Sequence, residues 1–391
     1  MGMRAPQRSE RETQGSASQY PHKKIIDEVY GYIKSYEDGT IERPPFPGGY
    51  SPACPDFLNG IASKDVVIDV RTRLWARLFL PECVASSQRR APIVLHFHGG
   101  GLCTGSAAAA SFHRFCSTMA ILSESIWVSV DYRLAPEYRL PAAYDDGFTA
   151  FTWLCAQSDI HASPVPRSVV ASMAHQEEES QNPSYGHDNN WHVPVGEQDG
   201  NMNNMQVASD AWLCSYGDFS NCFLSGESSG GAIVHYLTMK LCRMEYSSIK
   251  IRGLILIHGA FLVEGCYDMT VLNPRFERNP DTYRWLCLPM GAPGDHPLVN
   301  PLHSEAPSFQ GISWPPSFVA VADRDRFYDS TLRYVEVMKQ YGHVAEFDVT
   351  NGEPHCFYLF RPRSEEAKSF YKRIASFIVR HSQRWCGNSL L

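Results

Sequence analysis

From about residue 90 onward, short and wholly apolar runs alternate with segments of helical periodicity, and nothing else in the chain constrains its fold as strongly. The apolar runs are residues 93–97, 126–130, 222–224, 254–257 and 318–321. Between the first two, Phe112, Phe115, Met119 and Leu122 recur at helical spacing, and residues 232–239 and 332–338 carry the same pattern. A strand that is apolar on both faces needs cover on both faces, which parallel strands joined by crossover helices provide. The expected fold class is α/β, with a mostly parallel central sheet and helices on both sides. Upstream, residues 66–70 and 74–80 flank the charged turn Arg71-Thr72-Arg73 and predict an antiparallel hairpin.

The remaining segments fit around this frame. At 391 residues the chain is long enough for one large α/β domain, expected over 24–385. Residues 1–23 are polar and read as a disordered tail. Ile25, Ile26, Val29, Tyr30 and Ile33 fall at helical spacing and predict a short amphipathic helix, and the Pro-rich stretch 44–55 reads as loop. Residues 158–209 are rich in Asn, Gln, His, Ser and Gly and read as a long polar insert. Its four histidines, His161, His175, His187 and His192, are irregularly spaced and lack cysteines, so no metal site is expected there. The last helix is well marked: Ser364 as cap, Glu365 and Glu366 in the first turn, and Ala367, Phe370, Ile374 and Phe377 as its buried stripe.

Charge and cysteine usage exclude other classes of function. Lys and Arg number 35 against 42 Asp and Glu, a formal charge of −7, which gives no basic face for nucleic acid. No apolar run approaches the roughly 20 residues of a membrane helix, so neither nucleic acid nor membrane is an expected partner. Twelve cysteines without a C-x-x-C pair, and no apolar leader, predict reduced thiols in the cytoplasm, with the nucleus as an alternative.

Two glycine-rich motifs carry chemistry. Gly226-Glu227-Ser228-Ser229-Gly230 joins an apolar run to a helical segment, the strand–turn–helix context in which G-x-S-x-G exposes a nucleophilic serine, Ser228. His98-Gly99-Gly100-Gly101 follows the run 93–97, and its glycines let main-chain N–H groups approach a developing oxyanion. The expected oxyanion hole draws on Gly99, Gly100, Gly101 and Ser229, with His98 bracing the loop rather than titrating. Serine needs a base, and the base needs a carboxylate to orient it. His355 lies in the Gly/Pro turn after the strand-like residues 345–349, where it is the expected base. Asp323, Asp325 and Asp329 all follow the run 318–321, and spacing does not choose among them. His96, His113, His235 and His258 read as packing residues.

Together these blocks resemble the plant carboxylesterase family, in the hormone-sensitive-lipase-like branch of the α/β-hydrolase fold. Besides the two motifs, the blocks that match are Val130-Asp131-Tyr132-Arg133-Leu134-Ala135-Pro136-Glu137, Leu140-Pro141-Ala142-Ala143-Tyr144-Asp145-Asp146-Gly147, Asp218-Phe219-Ser220 and Asp295-His296-Pro297. The likeness runs from about residue 24 to residue 380, broken by the polar insert. It implies an α/β-hydrolase fold with a helical lid built from about 24–50 and 264–290. It also implies Asp325 as the acid, the first member of a D-x-x-x-D pattern with Asp329. Arg324 and Arg326 stand where such sequences are usually apolar, and Glu227 stands where Asp is usual, a replacement read as neutral. The implied activity is hydrolysis of a small-molecule ester through an acyl-enzyme, with no cofactor and no metal. Two other readings share the scaffold: a lyase or dehydratase acting on a plant secondary metabolite, and a non-catalytic small-molecule receptor of the gibberellin type. Receptors of that type lack the histidine found here at position 355.

Overall fold

The computed structural model describes residues 23–29, 33–43, 46, 48–87, 89–162, 209–244, 248–263, 266, 287–292 and 296–382. The expected tail, most of the insert and most of the 264–290 lid segment lie outside the described residues. The chain divides into two compact units, Met1–Pro44 and Pro45–Leu391.

The first unit holds a three-stranded antiparallel sheet, β1 (Ile25–Val29), β2 (Ile33–Tyr36) and β3 (Ile41–Glu42), in that order. The amphipathic helix expected at 25–33 is therefore corrected to strand. β-branched residues supply most of its apolar positions and lose rotamer freedom in a helix, while they suit a pleated surface. Asp38-Gly39 then closes the β2–β3 hairpin, with Gly39 at φ +82° and its N–H donating to the Tyr36 carbonyl at 2.9 Å.

The second unit is built on eight strands in the order β11-β10-β9-β8-β6-β7-β5-β4. Here β4 is Ile61–Asp69 and β5 is Leu74–Pro81, the expected antiparallel hairpin. The strands β6 (Ala91–Phe97), β7 (Ile126–Asp131), β8 (Gly217–Glu227), β9 (Ile251–Ile257), β10 (Ser317–Ala322) and β11 (Ala345–Thr350) are mutually parallel. Five of these, β6, β7, β8, β9 and β10, are buried over most of their length, β10 throughout, as parallel strands covered on both faces require.

Among the described residues the helices are α1 (Glu82–Ala85), α2 (Ala110–Ser123), α3 (Ala142–Ala162), α4 (Ala211–Tyr216), α5 (Ser229–Leu241), α6 (Tyr328–Gln340), α7 (Phe357–Phe360) and α8 (Glu365–His381). α3 continues through residues 158–162, so the polar insert begins later than the sequence indicates. On one face of the sheet, Phe112, Phe115 and Met119 of α2 and Phe370, Ile374 and Phe377 of α8 bury against Val94, Trp127, Phe223, Ile255 and Phe318. α3 packs on α5 through Gly147, where a Cβ would lie 2.8 Å from the Ile233 side chain. Ser364 caps α8 by accepting from Ala367 N–H at 3.1 Å. Among the described residues no helix is long and apolar enough to cross a membrane.

A parallel sheet delivers its loops to the carboxyl ends of the strands, the edge where open α/β sheets bind ligands. The loops after β6, β8, β9, β10 and β11 carry His98, Ser228, His258, Asp325 and His355 respectively.

Candidate active site

Ser228 stands between β8 and α5 in a strained turn, φ +52° and ψ −121°. Only a tightly determined backbone holds a non-glycine residue there. Its N–H donates to Ile257 O at 2.9 Å, and its carbonyl accepts from Gly231 N–H and Ala260 N–H. The motif glycines are required by contact: a Cβ on Gly226 would lie 2.2 Å from Gly230 O, and one on Gly230 would lie 2.0 Å from Phe97 O.

His355 Nε2 lies 3.0 Å from Ser228 Oγ, and His355 Nδ1 lies 2.7 Å from Asp325 Oδ2. An ionised carboxylate only accepts, so Nδ1 carries the proton and Nε2 offers its lone pair to the serine hydroxyl. The three side chains come from positions 228, 325 and 355, remote in the chain and joined only by the sheet. Asp325 is the carboxylate of the trio that reaches the imidazole. Asp323 is exposed and accepts from Gly352 N–H at 2.7 Å, and Asp329 is exposed in the first turn of α6.

The electrostatics suit a base. Burial pushes the Asp325 carboxyl up, but the charges and hydrogen bonds of His355 and His258 outweigh it and hold the group well below the usual carboxylate range. Burial dominates at His355 and pushes its pKa below the usual value, against the raising effect of Asp325, with Arg326 and His258 adding to the downward shift. Arg326 itself stacks over the Phe327 ring, 4.8 Å from its centroid.

The loop after β6 turns tightly beside this serine. Gly100 (φ +117°) and Gly101 (φ +63°) are followed by Leu102 at φ +66°, and a Cβ on Gly100 would meet Thr104 O at 2.0 Å. The loop is anchored from several sides: Tyr132 Oη donates to His98 O, Ala135 N–H to Leu102 O, and Leu102 N–H to Ser229 Oγ. Among the described residues, the N–H groups of Gly100, Gly101 and Ser229 donate to no protein acceptor. Gly99 departs from the expected oxyanion set, because its N–H donates to Glu227 Oε1 at 3.2 Å. His98 is fully buried, stacks on Tyr132 at 4.4 Å and donates from Nδ1 to Gly99 O at 2.7 Å. Burial pushes its pKa down, as a bracing imidazole requires.

Two residues carry more than the sequence indicates. Glu227 is fully buried and accepts from Gly99 N–H and from Tyr358 Oη at 3.1 Å, tying the serine turn to the glycine loop and to α7. Glu227→Ala is expected to cost about 2–4 kcal/mol in urea unfolding, because it leaves two buried donors unpaired and a void. A loss below about 0.5 kcal/mol would remove the bracing role. His258, read from sequence as a packing residue, instead places Nδ1 2.6 Å from Asp325 Oδ2. Its position at the carboxyl end of a parallel strand was the available signal.

His258, His355 and Cys356 bring possible metal donors within 4.8 Å of one another. Both imidazoles commit Nδ1 to Asp325, and burial pushes the Cys356 thiol well up, away from the thiolate a metal would need. The donor set does not suit a metal.

A parallel sheet whose strand ends gather a strained serine, an imidazole and a carboxylate defines an α/β hydrolase. The chain belongs to the α/β-hydrolase fold family, whose model matches residues 94–359. It is 29% identical over 371 residues to a 2-hydroxyisoflavanone dehydratase of Glycyrrhiza echinata, covering 93% of this chain and 99% of that one. It is 30% identical over 363 residues to "Probable carboxylesterase 4, mitochondrial" of Arabidopsis thaliana, covering 91% and 84%. Among solved structures it is similar to EstE1, a thermostable carboxylesterase cloned from a metagenomic library, with a TM-score of 0.57, 21% identity, and coverage of 82% and 90%. That likeness carries the fold, and the similar Arabidopsis carboxylesterase agrees with the family that the sequence blocks resemble.

Proposed function

We propose that the protein is a serine carboxylesterase acting on small carboxylic esters. The hydrogen-bonded line from Ser228 Oγ through His355 to Asp325 carries this reading. Ser228 Oγ attacks the ester carbonyl as its proton passes to His355 Nε2. The carbonyl oxygen becomes an oxyanion held by the N–H groups of Gly100, Gly101 and Ser229 at the positive end of α5. Collapse of the intermediate breaks the bond to the alkoxy group, which leaves as the alcohol with the proton from His355. Water, deprotonated by His355, then attacks the acyl-enzyme carbonyl, and as the bond to Ser228 Oγ breaks His355 returns the proton to Oγ and the acid leaves. Asp325 holds the imidazole in the Nδ1–H tautomer and stabilises the imidazolium in both halves.

Reaction with a fluorophosphonate probe tests the reading: covalent labelling at Ser228, suppressed in His355→Ala, is expected, and labelling that ignores both residues would contradict it. The pH profile offers a second test. The base must be unprotonated, and burial depresses the His355 pKa, so the acid limb of kcat/KM for p-nitrophenyl acetate is expected below pH 6.5, the group's ordinary value. A limb above that value would contradict the assignment of His355.

A second reading rests on the similar dehydratase. With His355 as base and the same N–H donors polarising a carbonyl, the site would eliminate water from a substrate without forming an acyl-enzyme. Turnover of a β-hydroxy ketone without any adduct on Ser228 would favour it.

A further inference from the structure

We infer that His258 is a positioning residue for the esterase chemistry, sharing the Asp325 carboxylate with His355 and thereby setting the pH at which His355 becomes a base. The inference rests on the esterase reading above and deepens it. Both imidazoles address the same oxygen: His258 Nδ1 lies 2.6 Å and His355 Nδ1 2.7 Å from Asp325 Oδ2, while Oδ1 accepts from Phe327 N–H at 2.9 Å. The carboxylate is fully buried, so these donors rather than water fix its orientation. Cys356 N–H also points at His258 Nδ1, at 3.3 Å, but the 2.6 Å contact with a carboxylate that only accepts is far the shorter and places the His258 proton on Nδ1. His258 Nε2 has no hydrogen-bond partner among the described residues, and the ring packs near those of Phe357, Tyr358 and Phe370.

The backbone at His258 is also committed. It directly follows β9 in the left-handed region, φ +51°, with its N–H donating to Ala320 O at 2.7 Å. The preceding carbonyl, Ile257 O, accepts from Ser228 N–H, so one short segment registers both the nucleophile turn and the acid. Such strain persists where neighbouring structure over-determines it.

An oxygen that already accepts one strong hydrogen bond is a weaker acceptor for the second. Sharing Oδ2 therefore weakens the support that Asp325 gives to the His355 imidazolium and favours the unprotonated base. The other groups that face or surround His355 are the Arg326 guanidinium, the Ser228 hydroxyl, the Phe327 ring and the Cys356 thiol, with Glu227 behind Cys356. Of these, only Arg326 adds positive charge, and it remains when His258 is replaced.

The test compares His258→Phe, which keeps a ring and removes the donor, with His258→Asn, whose amide N–H stands close to where Nδ1 does. For p-nitrophenyl acetate, His258→Phe should lower kcat about tenfold with KM little changed, and move the acid limb of kcat/KM upward by about half a unit or more. His258→Asn should restore most of both. A His258→Phe enzyme with the parent limb and rate would overturn the inference. Failure of the esterase reading is separately visible, as turnover that survives Ser228→Ala. A measurement on the unaltered protein needs no variant to fold: the ring ¹⁵N signals of His258 should show a protonated, exchange-protected Nδ1 between pH 6 and 8. A bare Nδ1 would overturn the inference equally.

Discussion

Ser228→Ala is expected to lower turnover of p-nitrophenyl acetate by about 10⁵-fold, with the urea midpoint unchanged. Without Oγ there is no atom to form the acyl-enzyme, and what survives is the modest acceleration given by binding and oxyanion donors. The fold should tolerate the change. The Ser228 side chain does not cap α5, its Oγ is hydrogen-bonded to His355, and the turn is held by main-chain bonds to Ile257 O and from Gly231 and Ala260 N–H that alanine retains. Steady-state rates and urea unfolding on the same preparation separate the two outcomes. Turnover within about tenfold of the parent would show that another group attacks the ester.

The second large effect belongs to Asp325→Asn. The amide turns an N–H toward one of the two imidazoles that now donate to Oδ2, favours the wrong tautomer of His355, and leaves the imidazolium without its counter-charge. A loss of about 10³–10⁴-fold in kcat is expected at neutral pH. Asp323→Asn is the informative comparison, because that exposed carboxylate meets Gly352 N–H rather than His355 and its loss should change kcat less than about threefold. Equal losses in the two variants would mean that the acid has been assigned to the wrong carboxylate.

These expectations rest on residues of differing legibility. The serine and the glycine loop were readable because their chemistry is local: a turn that needs glycine at fixed offsets writes itself into adjacent positions. His355 was readable from its place after the last strand-like segment. Asp325 was not, from spacing alone, because Asp323, Asp325 and Asp329 all follow β10. The choice depends on which side chain reaches an imidazole 30 positions away, and the family resemblance supplied it beforehand. His258 was misread because a single histidine ending an apolar strand looks like packing, and its partner lies 67 positions further on.

Glu227 and Gly99 show the same limit at closer range. A glycine triplet suggests three equivalent donors, yet Glu227 Oε1 takes the first, and that pairing spans 128 positions. The strands of the N-terminal unit were missed for another reason. Apolar residues at positions 25, 26, 29 and 33 fit a helical period, but their β-branched character and the Asp38-Gly39 turn outweighed the periodicity.

The central claim, that ester turnover passes through an acyl group on Ser228, is tested most directly by acid-quenching the enzyme during hydrolysis of p-nitrophenyl butyrate and mapping the adduct by peptide mass spectrometry. A butyryl group on the peptide carrying Ser228, absent from Ser228→Ala and strongly diminished in His355→Ala, is the predicted result. Continued release of p-nitrophenol with that peptide unmodified would contradict the account.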